Sequence, residues 1–421
     1  MAKKIEDTRV LLSAYACEPG RGSEPGVGWN VAKSLSSRVK LTVLTRANNR
    51  EVIEVSGEKW ITDVEWIYYD VPRIITWWKK GSRGVQLYYW LWQIGIWLLL
   101  KGKHLNQQFD IVHHLTFGRC WIPSYLPLLK IPTVFGSVGG GEFCPEELRD
   151  IVEPSILKDE RKKRWAIAFF SNFVLSSKCY KSYTIGLGAT DQSARWLTKQ
   201  GVKKVLVLPQ SGIDVLEFDH FLQSNQHTEQ QNSPFICFCA SRLIPWKGVD
   251  IAIRAFAIAV NDLPDGSKLR IAGCGSEEIK LKELAVKLNI NENVEFLGKL
   301  PKLDDVYREM SAADCFIHPA VSEAFGQSCI ESLAVGTPVV CWDWAGPGLI
   351  VNHSVGAGVK VNGVEPISNF SKELIRLSQL NKLEKEKMAK ESRARAAEDF
   401  SWNRLVDEYV SVYREIMGGS D

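Results

Sequence analysis

Short runs of hydrophobic residues recur along the chain, separated by amphipathic stretches and polar turns. Apolar runs of about four to eight residues are typical of buried parallel strands, whereas apolar positions three and four residues apart predict helices. Regular alternation of the two predicts parallel sheets with helices on both faces. The predicted strands are 9–16, 40–45, 64–71, 109–115, 133–138, 182–187, 204–209, 235–240, 269–272, 294–297, 315–317 and 339–341.

A polar stretch over residues 224–234, rich in Gln, Asn and His, interrupts this alternation and is the best candidate for a linker. The length of 421 residues exceeds the size at which a single hydrophobic core usually stops growing. We therefore predict an α/β protein with two doubly wound, Rossmann-like domains that face a cleft.

The composition is ordinary for a soluble globular protein, with 45% hydrophobic and 24% charged residues. A net charge of +3 is too small to indicate a nucleic-acid partner. The ten cysteines show no Cys-x2-Cys spacing, and several lie inside strand patterns, which indicates reduced, packed thiols. The first residues lack the apolar core of a signal peptide, so we expect a cytoplasmic location.

Tryptophan is unusually frequent, with fifteen in the chain and many of them between residues 60 and 121. The apolar run 88–100 is shorter than the about 20 residues that a membrane-spanning helix requires, and Gln93 interrupts it. It can be either a core helix or an interfacial segment. The aromatic segment 77–97, with Lys79 and Lys80, and the basic run 161–165 suggest peripheral contact with an anionic membrane on the cytoplasmic side.

The most informative stretch for chemistry is 315–340, CFIHPAVSEAFGQSCIESLAVGTPVV, whose pattern predicts a strand, a loop, a helix and a second strand. Glu323 lies in the loop, and Glu331 lies on the helix outside its apolar face. We expect both carboxylates at the carboxyl ends of the strands, where ligands bind in open α/β sheets.

A second group of charges, in the sequence SRLIPWKG, follows the predicted strand 235–240. Arg242 and Lys247 at the carboxyl end of a strand, beside a helix N-terminus, are well placed to hold a diphosphate. Alone, the segment could equally be a surface loop with two solvated charges. Glu323 and Glu331 can accept hydrogen bonds from sugar or ribose hydroxyls, so the two groups together favour a functional site.

Candidate residues also occur in the first half. A glycine-rich loop, EPGRGSEPGVGW, precedes a helix predicted from about residue 27 to 35, and Gly26 and Gly28 would let the backbone approach a ligand. His113 and His114 end a predicted strand. Because strands alternate faces, one of them should reach the cleft while the other packs, and His114 is a candidate for the acceptor site.

These residues resemble the retaining GT-B glycosyltransferases of glycosyltransferase family 4. The matching features are the Arg-x4-Lys-Gly loop at 242–248, the Glu-x7-Glu unit at 323–331 and the Gly-x-Pro-Val-Val run at 336–340. The resemblance implies the GT-B fold, with an N-terminal acceptor-side domain, a nucleotide-sugar-binding domain and a C-terminal helix that packs back on the first domain. The expected bounds are 1–212, 213–395 and 396–421.

The resemblance also implies roles for individual residues. Arg242 and Lys247 would stabilise the departing diphosphate, and Glu323 would bind hydroxyls of the transferred sugar. Further substrate-binding groups would be Glu331 on the ribose, the backbone N–H groups of Ala324, Phe325 and Gly326 on the sugar, and Gly26 and Gly28 near the phosphates.

The implied function is that of a retaining, hexosyltransferase-type enzyme of polysaccharide or glycolipid biosynthesis. It would move a sugar from a nucleotide-diphosphate sugar to a hydroxyl of a glycan or lipid-linked acceptor. No Asp-x-Asp motif lies near a plausible site, so we expect a metal-independent reaction with no cofactor. Two alternatives are a nucleotide-sugar epimerase or hydrolase of the same fold, and a non-catalytic nucleotide-sugar binding protein.

Overall fold

The computed structural model describes residues 4–72, 74–79, 81, 84–102, 108–171, 174–224, 234–362 and 365–418. The chain divides into two compact units. The first unit comprises Met1–Gly141, Lys163–Gly212 and Trp402–Asp421, and the second comprises Glu142–Lys162 and Ile213–Ser401. The linker predicted at 224–234 lies, apart from its two end residues, outside the described residues.

Thirteen strands occur in the described parts of the chain, and all twelve predicted strands are among them. The strands are β1 (Arg9–Ala14), β2 (Lys40–Arg46), β3 (Glu65–Tyr69), β4 (Ile111–Thr116), β5 (Thr133–Val138), β6 (Ile185–Gly188), β7 (Val205–Val207), β8 (Ile236–Ala240), β9 (Lys268–Ala272), β10 (Val294–Gly298), β11 (Cys315–His318), β12 (Val339–Trp342) and β13 (Gly356–Val359).

Helices alternate with these strands and cover the sheets. They are α1 (Ser23–Ser36), α2 (Arg50–Val55), α3 (Val85–Gly102), α4 (Pro154–Ser171), α5 (Val174–Ser182), α6 (Asp191–Lys199), α7 (Val215–Ser224), α8 (Val249–Ala259), α9 (Glu278–Lys287), α10 (Leu303–Ser311), α11 (Gln327–Val335), α12 (Ala345–Ile350), α13 (Pro366–Ser378), α14 (Lys382–Phe400) and α15 (Trp402–Ile416).

Each unit contains one sheet of parallel strands, as the sequence predicts. The strand order is β3-β2-β1-β4-β5-β6-β7 in the first unit and β10-β9-β8-β11-β12-β13 in the second. Most central strands are buried along nearly their whole length, because helices cover both faces. In both sheets the chain order reverses at one position, between β1 and β4 in the first and between β8 and β11 in the second.

The helix α1 begins four residues earlier than the sequence predicts. Gly26 and Gly28 therefore lie in the first turns of α1 and not in a loop. A Cβ atom on Gly28 would lie 2.0 Å from the carbonyl oxygen of Ala16, and one on Gly26 would lie 2.2 Å from that of Arg21. The two glycines thus let the helix pack against the backbone of the preceding segment. Their role beside a ligand stays a prediction.

The C-terminal helix α15 packs within the first unit, as expected. Its apolar face is buried in the core of that unit, and its Tyr413 hydroxyl contacts Nδ1 of His113 at 2.5 Å. The buried residues of this face are Leu405, Val406, Tyr409, Val410, Val412 and Tyr413.

The tryptophan-rich helix α3 is buried on one face, as the prediction of a core helix requires, and its interfacial role stays a prediction. One face packs in the first unit through residues such as Tyr89, Trp92 and Ile96, whereas Leu87 and Leu98 are exposed. In the parts of the chain that the structure describes, no helix has the length and hydropathy needed to span a membrane.

Candidate active site

The pairing of β8 with β11 brings two candidate loops together in the second unit. Cys315 pairs in register with Cys237, so both strands end at the same edge of the sheet. Their loops are joined by a hydrogen bond from the Val321 N–H to the carbonyl of Trp246, 3.1 Å long. This edge is the position where the strand order reverses, and such a position forms a crevice outside the carboxyl ends of the strands.

Lys247 and Glu323 form an ion pair across these loops. The Nζ atom of Lys247 contacts Oε2 of Glu323, and the two side chains are 17% and 22% exposed. Burial alone would raise the pKa of Glu323, but attraction by Lys247 and Arg242 lowers it below its usual value. Glu323 is therefore a carboxylate at neutral pH. Arg242 is exposed and forms no ion pair with another described residue.

The loop after Glu323 presents backbone donors. The N–H groups of Ala324, Phe325 and Gly326 donate no backbone hydrogen bond within the described part of the chain. Gly326 caps the N-terminus of α11 in a left-handed conformation, with φ of 89°. A helix N-terminus and free N–H groups together favour oxygen ligands that carry negative charge or lone pairs.

Glu331 lies on α11, one turn after Gln327 and eight residues after Glu323, which belongs to the preceding loop. Burial raises the pKa of Glu331 to about 7, and repulsion from Glu217 adds to this effect. Its carboxyl group therefore changes charge near neutral pH. Among the described residues, no group of three or more His, Cys, Asp or Glu side chains could hold a metal ion.

His318 belongs to the same constellation, although it is not among the predicted site residues. It ends β11 and is 3% exposed, with Nδ1 3.3 Å from the Ser328 hydroxyl and Nε2 3.9 Å from Oε2 of Glu323. Burial lowers the pKa of His318 to about 4, and repulsion by Lys247 contributes, so its ring is neutral at neutral pH. The only signal in the sequence is a histidine directly after a strand, five residues before Glu323.

His114 does not line a ligand site in the first unit. Both His113 and His114 are fully buried, which contradicts the expectation that one of them is open. Nε2 of His114 lies 3.0 Å from the Tyr89 hydroxyl, and its ring stacks on Phe135. Burial lowers the pKa of His114 to about 3, so the ring is a neutral part of the core. Both faces of β4 are covered, and alternation along the strand therefore exposes neither histidine.

The reversal point of the first sheet contains a carboxylate that the sequence analysis missed. Glu24, in the first turn of α1, accepts a hydrogen bond from the Gly118 N–H with both oxygens, at 3.0 and 3.1 Å. Burial raises the pKa of this carboxyl group. Glu24 thus ties the start of α1 to the segment that follows β4, a contact between residues 94 positions apart.

Comparison with known proteins links the second unit to one family. Residues 221–395 match the family model described as glycosyl transferases group 1. The GDP-mannose-dependent monoacylated alpha-(1-6)-phosphatidylinositol monomannoside mannosyltransferase of Corynebacterium glutamicum is 28% identical over 214 residues, which cover 48% of this chain and 54% of that protein. The D-inositol 3-phosphate glycosyltransferase of Rhodococcus erythropolis is 34% identical over 188 residues, 41% of this chain and 40% of that protein. The chain thus spans about half, or less, of the length of these relatives.

Solved structures resemble the chain over nearly its whole length. A glycosyltransferase from Rickettsia africae has a TM-score of 0.61 and 17% identity, and covers 98% of this chain and 100% of its own. HepE of Anabaena in complex with UDP has a TM-score of 0.58 and 17% identity, with 97% and 100% covered. WaaG, a glycosyltransferase involved in lipopolysaccharide biosynthesis, has a TM-score of 0.59 and 20% identity, with 96% and 99% covered. The chain therefore has the GT-B fold of these glycosyltransferases, and its residues 221–395 match the glycosyl transferases group 1 family.

Proposed function

We propose that this protein is a glycosyltransferase that moves a sugar from a nucleotide-diphosphate sugar to an acceptor hydroxyl. The observation that carries the proposal is the convergence of Arg242, Lys247 and Glu323 at the carboxyl ends of β8 and β11. The family match over 221–395 includes this edge, and HepE, a structural relative, was solved with UDP. Two cations beside one carboxylate suit a ligand that joins a diphosphate to a hydroxyl-rich sugar.

The two cations would act on the leaving group. Negative charge grows on the diphosphate as the glycosidic bond breaks, and a nearby cation stabilises this charge more in the transition state than in the ground state. Arg242 is exposed and can contact the diphosphate directly. Lys247 is paired with Glu323 and would have to leave this partner to contact the diphosphate. Because the chain supplies both cations, we expect the reaction to need no metal ion or other cofactor.

The hydroxyl groups of the donor would be held by the remaining residues of the site. Glu323 and the free N–H groups of Ala324, Phe325 and Gly326 would bind the transferred sugar, and Glu331 would bind the ribose. We further propose a hexosyltransferase that retains the anomeric configuration, as the resemblance to family 4 implies. Catalysis would rest on electrostatic stabilisation and on orientation of the acceptor hydroxyl.

The acceptor is proposed to be a glycan or a lipid-linked molecule, in polysaccharide or glycolipid biosynthesis. Two relatives support this choice by their names, the phosphatidylinositol monomannoside mannosyltransferase and WaaG. The first unit also exposes aromatic side chains, with Trp77 80% and Trp165 72% exposed and Trp165 stacked on Phe169. Such side chains favour the interface of a lipid bilayer, and we propose peripheral contact with an anionic membrane. Lys80, which was predicted to contribute to this contact together with the aromatic segment 77–97, lies outside the described residues.

The role of the cations predicts a specific kinetic effect. Arg242→Ala and Lys247→Ala should each lower kcat about 100- to 1,000-fold, the typical cost of losing one electrostatic partner of the transition state. Lys287→Ala is the matched control. Lys287 is an exposed cation in the last turn of α9, which leads into the amino end of β10, whereas the candidate site lies at the carboxyl ends of the strands. Steady-state kinetics with a panel of nucleotide-sugars, with and without lipid-linked acceptors, measures the effect. Normal folding by circular dichroism with unchanged kcat in both variants would refute the diphosphate assignment.

Ribose binding by Glu331 predicts a dependence on pH. Burial raises the pKa of this residue to about 7, so it is a carboxylate above this pH and takes up a proton below it. The protonated form loses acceptor capacity for the ribose diol, so KM for the donor should rise about tenfold as the pH falls from about 8 to about 6. Glu331→Gln should have a raised KM at pH 8 that changes little with pH. Identical pH profiles for KM in the two proteins would exclude this role.

Membrane contact is tested with vesicles. The full chain should co-sediment with phosphatidylserine-containing vesicles at low salt, and much less with phosphatidylcholine vesicles or at high salt. Replacing both Trp165 and Phe169 by Ser should weaken the binding. Ile279→Ser provides the control, because Ile279 is 73% exposed but belongs to the second unit. No sedimentation of the unmodified protein with anionic vesicles would show that the membrane proposal is wrong.

A further inference from the structure

A buried histidine ring faces the carboxylate proposed to hold the sugar. His318 is 3% exposed, and its Nε2 has no hydrogen-bond partner among the described residues. Oε2 of Glu323 lies 3.9 Å from this nitrogen and is the same atom that Lys247 contacts. A buried polar nitrogen without a hydrogen-bond partner costs free energy, so such an atom in a folded protein indicates a contact that forms in another state.

The other side of the ring determines which nitrogen carries the hydrogen. Nδ1 of His318 lies 3.3 Å from the hydroxyl of Ser328, in the first turn of α11. If the hydroxyl donates to Nδ1, the hydrogen of the neutral ring is on Nε2 and points towards Glu323. This tautomer also agrees with the position of Nε2 beside a carboxylate that Lys247 and Arg242 keep ionised.

Donor binding would change the partners of Glu323. In the ligand-free chain its charge is balanced by Lys247, and a diphosphate would compete for the same ammonium group. A carboxylate that is only 22% exposed then needs another donor to stay in place. His318 Nε2 is close enough to provide this hydrogen bond after a shift of about 1 Å.

We propose that His318 is a positioning residue, whose Nε2–H holds the Glu323 carboxylate against the donor sugar when the diphosphate takes Lys247. This inference rests on the proposed function and assigns a part of the site beyond the residues named for it. His318 would contact neither the leaving group nor the reacting carbon, and it would act through Glu323. Its effect should therefore appear in the contribution of the sugar to binding and in kcat.

Two substitutions separate the nitrogen atoms of the ring. The amide nitrogen of Gln can replace Nε2, whereas that of Asn can replace Nδ1, so His318→Gln keeps a donor towards Glu323 and His318→Asn keeps only the Ser328 side. Calorimetry would measure the ratio of Kd for a nucleoside diphosphate to Kd for the corresponding nucleotide-sugar. We expect His318→Asn to lower this ratio, and kcat, roughly 10- to 100-fold, as for the loss of one hydrogen bond to a charged group. His318→Gln should stay within a few-fold of the unmodified protein, and binding of the nucleoside diphosphate itself should change little in either variant.

The outcomes distinguish this inference from the proposed function. If the unmodified protein binds nucleotide-sugars and transfers sugar but the two variants behave alike, a positioning role for His318 is excluded. If it binds no nucleotide-sugar of the panel, the proposed function fails and the role of His318 fails with it. Thermal unfolding checks that both variants fold. Should they unfold, Ser328→Ala removes the hydroxyl that keeps the ring hydrogen on Nε2, while the His318 ring stays in place. An unchanged ratio of the two Kd values and an unchanged kcat in that variant would overturn the proposal.

Discussion

The parallel pairing of β8 with β11 is the constraint on which the candidate site depends. Arg242 and Lys247 lie 76 or more residues before Glu323 in the chain, and only this pairing makes their loops neighbours. The loops are then held at close range by backbone contacts. One is the hydrogen bond from the Val321 N–H to the Trp246 carbonyl. Another is the close approach of the Gly248 backbone to Pro319, where a Cβ atom on Gly248 would lie 2.4 Å from the Pro319 carbonyl oxygen. A site assembled from strand ends in this way inherits the rigidity of the sheet.

Charge balance at this edge explains how one site can be stable without a ligand and still receive an anion. Burying either Lys247 or Glu323 alone would be costly, and their ion pair offsets part of that cost. Arg242 remains exposed, so two cations and one carboxylate leave a net positive charge where a diphosphate is proposed to bind. Ligand binding would therefore exchange one ion pair for another and would not require burial of an unpaired charge. His318 is the neutral group beside this exchange.

The sequence predicts most of the fold because the strands are continuous apolar runs between helical patterns. β13 was missed, since its sequence GAGV offers no apolar run, and Gly356 packs against the backbone of Val339. The histidines of β4 were misjudged because alternation separates two faces, but it cannot show that both faces are covered. Likewise, the early start of α1 places Gly26 in a helix whose packing depends on loop backbone that sequence patterns do not specify.

The charged residues of the site were predictable from their place after strands, whereas their partners were not. Lys247 and Glu323 lie in the loops that follow β8 and β11, and parallel strands end at one edge. The contact of Glu24 with Gly118 and the approach of His318 to Glu323 depend on side-chain directions that arise only from packing. The pKa of about 7 for Glu331 has the same origin, because it reflects burial beside Glu217 on a different helix.

The most direct test of the central claim is a comparison of nucleotide affinities by calorimetry at neutral pH. A nucleoside diphosphate should bind more tightly than the monophosphate of the same nucleoside, because its second phosphate meets Arg242 and Lys247. This difference should become smaller in the Arg242→Ala variant, largely disappear when Lys247 is also replaced by Ala, and persist in Lys287→Ala. Equal affinities of the unmodified protein for the two nucleotides, or a difference that survives the loss of Arg242 and Lys247, would contradict the assignment of this edge as the diphosphate site.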